Sequence, residues 1–75
     1  MALERPEVFM QTLWQHLKTG KLYRIVDTCM IEKTWELGFI YVALDDDEKR
    51  QKIVRPVKEF LDGRFAHVVT PLHGA

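Results

Sequence analysis

The 75-residue sequence contains no serine and a single cysteine, Cys29. Without serine there is no serine nucleophile, and one thiol allows neither an internal disulfide nor a cysteine zinc site. A lone cysteine fits a reducing compartment, so a cytoplasmic location is expected. Glycine is sparse. Gly20, Gly38, Gly63 and Gly74 stand apart, and isolated glycines do not build a loop that cradles phosphate. His16, His67 and His73 lack the i, i+4 helical or i, i+2 strand spacing of paired metal ligands, so no metal is expected. An excess of one charge is missing as well, because eleven Lys and Arg balance eleven Asp and Glu. Net charge therefore gives no support to nucleic acid as a partner. The uncharged runs around residues 8–17 and 39–44 are too short and mixed to cross a bilayer, and no membrane partner is expected. Glu4, Arg5 and Glu7 interrupt any apolar segment of a signal peptide. Neither catalysis nor a cofactor has a motif behind it, so a non-enzymatic role is expected.

What is present is a small globular chain. Hydrophobic residues make up 47% of it, with two Trp, two Tyr and four Phe to fill one core. The length allows one domain, residues 1–75. A chain this short buries only roughly 60% of the surface its unfolded form exposes. With no disulfide or metal staple, stability must come from a tight core or from self-association.

Residues 5–18 read as a helix. Pro6 suits a first helical turn, Glu4 and Glu7 lie at the positive end of its dipole, and Val8, Phe9, Leu13, Trp14 and Leu17 form one broad apolar face. Gly20 stands where a left-handed helix stop is expected. Beyond it the composition turns to that of strands. Residues 22–31, with Tyr23, Ile25, Val26 and Ile31, read as a strand. After the polar break Glu32-Lys33-Thr34, the residues Trp35, Leu37, Phe39, Tyr41 and Ala43 alternate along a second strand. Ile40, Val42 and Leu44 make its other side apolar too, which describes a central strand or one whose outer side the helix covers. Asp45-Asp46-Asp47-Glu48-Lys49-Arg50 reads as a solvated hairpin turn, since consecutive Asp without a Gly do not match the spaced ligands of a calcium loop. Residues 52–55 form a third strand ended by Pro56, 56–61 a single helical turn, 64–69 the last strand and 71–75 a frayed tail. A helical turn between the last two strands is the habit of SH3-like barrels, and a leading helix adds the order of Sm-like folds, which form rings. The expected fold is mainly β (α+β). An N-terminal helix packs on a small four- to five-stranded SH3-like or Sm-like antiparallel barrel over residues 21–70, whose closure hides strand edges.

Arg55 lies at the end of an apolar strand, held extended by Pro56. It is either a structural fork, tying the 56–62 turn or pairing with Glu32 or Glu59, or a clamp for a carboxylate or phosphate. Arg64 before Phe65 carries the same alternatives. Tyr23, Trp35, Phe39 and Tyr41 either form core or line an aromatic groove for a peptide or for bases. Lys18, Lys21 and Arg24 make one basic stretch. Lys49, Arg50, Lys52, Arg55 and Lys58 make a second, diluted by acidic neighbours. Cys29, on an apolar strand without an activating base, reads as an inert buried thiol.

Five segments then fall in a familiar order: His16-Leu17-Lys18-Thr19-Gly20-Lys21-Leu22-Tyr23, Glu32 to Glu36, Tyr41-Val42-Ala43-Leu44, Val54-Arg55-Pro56 with Phe60, and Gly63-Arg64-Phe65. The order resembles the short bacterial and phage proteins of the family called domain of unknown function sixteen fifty-three. That family's pattern is H-x-K-G-x-x-Y, E-T-x-E, Y-x-A-L, W-V-R-P-x-x-x-F and R-F. The likeness spans residues 16–68, and V-R-P-x-x-x-F is its most specific element. Thr19 is an additional residue, Ile53 replaces the usual Trp, and residues 5–15 lie outside the pattern. The resemblance implies a small SH3-like β domain and brings no activity with it. By position it points to Tyr23, Glu32, Tyr41, Arg55, Pro56, Phe60, Arg64 and Phe65.

The polar members of that set, Tyr23, Glu32, Arg55 and Arg64, are the expected ligand- or partner-binding residues, because charged groups contribute least to packing. Two functions are compatible with them. One is a module that binds a protein segment or a further copy of itself through an apolar patch rimmed by Tyr23 and Arg55. The other is a pocket for a small anionic or nucleotide-like ligand, or for nucleic acid, where Arg55, Arg64 and Lys18 converge.

Overall fold

A computed structural model describes residues 5–45 and 51–69. Most of the charged turn at 45–50 and the tail at 71–75 lie outside the described residues. The chain begins with a 3-10 turn, Pro6–Phe9, and continues through β1 (Leu13–His16), β2 (Leu22–Ile31), β3 (Glu36–Ala43) and β4 (Ile53–Pro56). A four-residue helix, α1 (Val57–Phe60), then leads into β5 (Phe65–Val68). All strand pairs are antiparallel, in the order β4-β3-β2-β1-β5. The chain is thus mainly β, and the helical turn expected between the last two strands is present.

The N-terminal helix expected over residues 5–18 does not form. Its first residues make only the 3-10 turn that Pro6 allows, and Gln11 then takes a left-handed backbone, φ 68°, which ends it. The Thr12 hydroxyl closes the break by donating to Phe9 O at 2.6 Å and accepting from the indole Nε1 of Trp14 at 2.8 Å. Residues 13–16 become a strand because both flanks offer a ladder, with Trp14 opposite Tyr23 on β2 and His67 on β5. Tertiary pairing outweighs the weak helical preference of four residues. Gly20 does adopt the positive φ expected of it, 80°, but it turns β1 into β2 rather than stopping a helix.

The barrel is corrected too. The five strands form an open sheet with β4 and β5 at its edges. Closure needs a ladder between those edges. Each is only four residues long, and β4 ends in Pro56, which has no N–H to donate, just where α1 begins. The SH3-like and Sm-like expectation therefore fails on closure and on the leading helix, while the antiparallel strand content stands.

Ladder partners share a face, and that assigns the two sides of the sheet. The inner face carries Trp14, Ile25, Phe39, Tyr41 and Phe65, all buried. The 3-10 turn covers it with Phe9 and Met10, and α1 covers it with Val57 and Phe60. Phe60 is the hub: its ring stacks on Phe65 at 4.1 Å and meets Trp14, Phe39 and Tyr41 edge-on at 5.3, 5.4 and 5.1 Å. Such offset and edge-to-face pairs add to the area term of aromatic burial. In β2 the register shifts between Ile25 and Asp27, so Val26 is an extra, bulged residue. A bulge bends its strand and re-aims the side chains beyond it.

Candidate functional site

Arg55 contacts aromatic side chains of the sheet. It sits on β4 beside Phe39, on the inner face. Its Nε donates to the Tyr41 hydroxyl at 3.3 Å, and its guanidinium carbon lies 5.5 Å from the centre of the Phe65 ring. The Tyr41 hydrogen bond raises the guanidinium above its usual pKa; burial opposes this, and the charges of Glu59 and Asp62 add to the rise. Tyr23 joins the same cluster, edge-on to Tyr41 at 5.2 Å and to Phe65 at 6.0 Å. The structure therefore brings Tyr23 and Arg55 together through two shared rings, as one end of the aromatic core.

Arg64 and Glu32 do not join them. The Arg64 Nε lies 3.1 Å from Asp62, whose other carboxylate oxygen accepts the Arg64 backbone N–H, so the pair clasps the turn at Gly63. Glu32 is exposed in the turn between β2 and β3. An open depression of about 280 Å³ lies between the β1–β2 turn and the end of β3, lined by Thr19, Gly20, Lys21, Leu22, Leu44 and Asp45. Neither Arg55, Arg64 nor Lys18 lines it, so the three cations expected to converge on an anion do not meet there. Among the described residues no group of His, Cys, Asp and Glu side chains is arranged to hold a metal ion. No helix there is long and apolar enough to cross a membrane.

The aromatic groove expected from Tyr23, Trp35, Phe39 and Tyr41 does not assemble as a set. Phe39 and Tyr41 are core, whereas Trp35 is 72% exposed at the β2–β3 turn. Its backbone is left-handed, φ 55°, and its N–H donates to Ile31 O at 2.6 Å. A bulky residue in that region costs roughly 1–2 kcal/mol, and Asn tolerates it better. Trp35→Asn is expected to raise unfolding free energy by up to about 1 kcal/mol in urea denaturation, since little burial is lost. A loss of stability would show that the indole packs. Beside it, the Thr34 hydroxyl and then Lys58, 3.3 Å away, hold the Glu36 carboxyl below its usual range. The tie between this turn and α1 is fully present above the ordinary glutamate pKa and fades as pH falls through the lowered one.

The outer face is the surface that sequence reasoning only half sees. Ladder register places Leu13, Arg24, Val42 and Val68 in one row and Asp27, Ile40 and Val54 in the next. Gly38 lies below, where an added Cβ would come within 3.1 Å of Ile31 and 3.2 Å of Val54, so those two side chains close over it. Val54 is 49% exposed, and Leu13, Ile40, Val42 and Val68 are half-buried by their strand neighbours. Both covering elements, the 3-10 turn and α1, sit on the inner side with the aromatic core. The alternation of Ile40, Val42 and Leu44 signals an apolar second side. That pattern describes a central strand or one whose outer side the helix covers; β3 is an inner strand, between β4 and β2, and no helix of the described residues lies over this side. Cys29, opposite Gly38, is half-buried on this face rather than in the core.

Compared with known proteins, the chain matches no family model, no curated protein and no solved structure.

Proposed function

We propose that this chain is a non-enzymatic interaction module that docks a protein on the outer face of its sheet. The observation behind this reading is a five-stranded sheet that is largely apolar on two sides and, among the described residues, covered on one. A sheet face rich in Val, Ile and Leu is normally buried against a second layer, and contiguous exposed apolar surface marks interaction sites. The cluster of Tyr23, Tyr41, Phe65 and Arg55 packs on the opposite, inner side of the same sheet. In this reading Tyr23 and Arg55 position the docking face rather than rim it.

The test separates a docking face from a core. The double substitution Ile40→Thr with Val42→Thr keeps β-branched side chains and removes apolar surface. On an open face it is expected to cost at most about 2 kcal/mol in dilute urea denaturation, whereas the same pair in a sealed core would cost roughly 4 kcal/mol or more. A photo-crosslinking residue at position 42 is expected to give a discrete protein adduct, with either another chain or a second copy. The larger stability loss, or no adduct of any kind, would sink the reading.

A further inference from the structure

The geometry points to a second copy of this chain as the occupant of the outer face, in a symmetric dimer that pairs Arg24 of each copy with Asp27 of the other. The inference rests on the docking reading above and names its partner. Both residues lie on β2, the middle strand of five. Three positions apart, they would point to opposite sides of a regular strand. The bulge at Val26 cancels that difference: Arg24 faces Val42 and Asp27 faces Ile40, two residues on the same side of β3. One cation and one anion thus stand on the same central strand of a mostly apolar face, whose other polar members, Gln15 near one end of the sheet and Glu36, tied to Lys58, near the other, lie away from β2's centre.

That arrangement is self-complementary. In an isologous contact residue i of one copy meets residue j of the other, and j meets i. A two-fold axis passing near Val26 exchanges Arg24 with Asp27, so both charges find an opposite partner in one operation. A face bearing one sign alone would repel its own copy. Neither residue forms an ion pair among the described residues. Arg24 donates Nη1 to Gln11 O at 3.2 Å, and Asp27 accepts its neighbour Thr28 N–H at 2.8 Å, which leaves each with further bonding capacity. The chain's zero net charge removes long-range repulsion between copies. Five strands about 4.8 Å apart, rising about 3.3 Å per residue, give a face on the order of 500 Å² per copy. A contact of that size lies at the low end of specific interfaces, so the dimer is weak and reversible, with a dissociation constant of about 10 μM to 1 mM.

Sedimentation velocity of the full chain from about 5 μM to 1 mM tests this, and the mass is expected to rise toward twice the monomer. Arg24→Asp or Asp27→Arg alone is expected to weaken association by about tenfold or more, and the two together to restore it. Alkylation of Cys29 in the unaltered chain, which needs no variant to fold, is expected to slow as concentration rises. A monomer throughout the range, a dimer indifferent to single charge reversals, or a Cys29 rate independent of association would each overturn the pairing. If the threonine pair stays stable and position 42 crosslinks only to another protein, the docking face stands and self-pairing alone falls.

Discussion

Phe60→Ala is expected to cost about 3–5 kcal/mol, the range for truncating a fully buried aromatic ring. Phe60 has no measurable exposure, and four other core rings pack directly on it. Because it is the one fully buried residue of α1, its loss also unpins the helix from β3 and β4. Domains carry roughly 0.05–0.15 kcal/mol of stability per residue, so this substitution removes a large share of what 75 residues possess. In a domain of this size each kcal/mol moves the melting temperature by about 4–8 °C, so a fall of about 12–40 °C is expected by circular dichroism. A fall under about 5 °C would mean that the rings around Phe60 close up without it, and that the core is not organised about this residue.

The helical turn that carries Phe60 is legible in sequence because its local signals agree. Pro56 opens it, and Gly63, with φ 110°, follows its end. The same agreement makes β2 readable to the residue and β3, β4 and β5 readable to within one or two. The segment 5–18 fails because its signals conflict. Val8, Phe9, Leu13, Trp14 and Leu17 satisfy a helical spacing, yet Trp14 and His16 also satisfy a two-residue one, and residues 13–16 contain no β-branched side chain to decide it. Pairing decides it instead, with β2 across the Gly20 turn and with β5 at the far side of the chain, and no short window of sequence contains the second partner. The candidate residues divide along a similar line. Arg55 can be singled out, since Pro56 fixes its backbone, but its role depends on Tyr41, fourteen positions away. Arg24 reads as part of a basic stretch and Asp27 as nothing in particular. Only the bulge at Val26 sets them on one face, and bulges leave no compositional mark when no glycine carries them.

Two substitutions, one in the first strand and one just beyond it, distinguish the fold from the helix it replaces. On a helix, Trp14 and Leu17 are three residues apart and share the buried stripe, so truncating either would remove core. In the strand they part company. Trp14 is 9% exposed, edge-on to Phe60, stacked on His67 at 4.9 Å and hydrogen-bonded to Thr12, while Leu17 lies beyond the end of β1 and is 58% exposed. Trp14→Ala is therefore expected to cost about 3–5 kcal/mol, and it also leaves the Thr12 hydroxyl without its indole donor. Leu17→Ala is expected to change stability by no more than about 0.5 kcal/mol, the range of surface positions. Its contribution to the sheet is its backbone N–H, which donates to Arg64 O at 3.0 Å and survives the substitution. Urea denaturation of the two variants against the parent chain reads the difference directly. Comparable losses at both positions would return residues 13–17 to a helix and remove β1, and with it the link between β2 and β5 on which the open sheet depends.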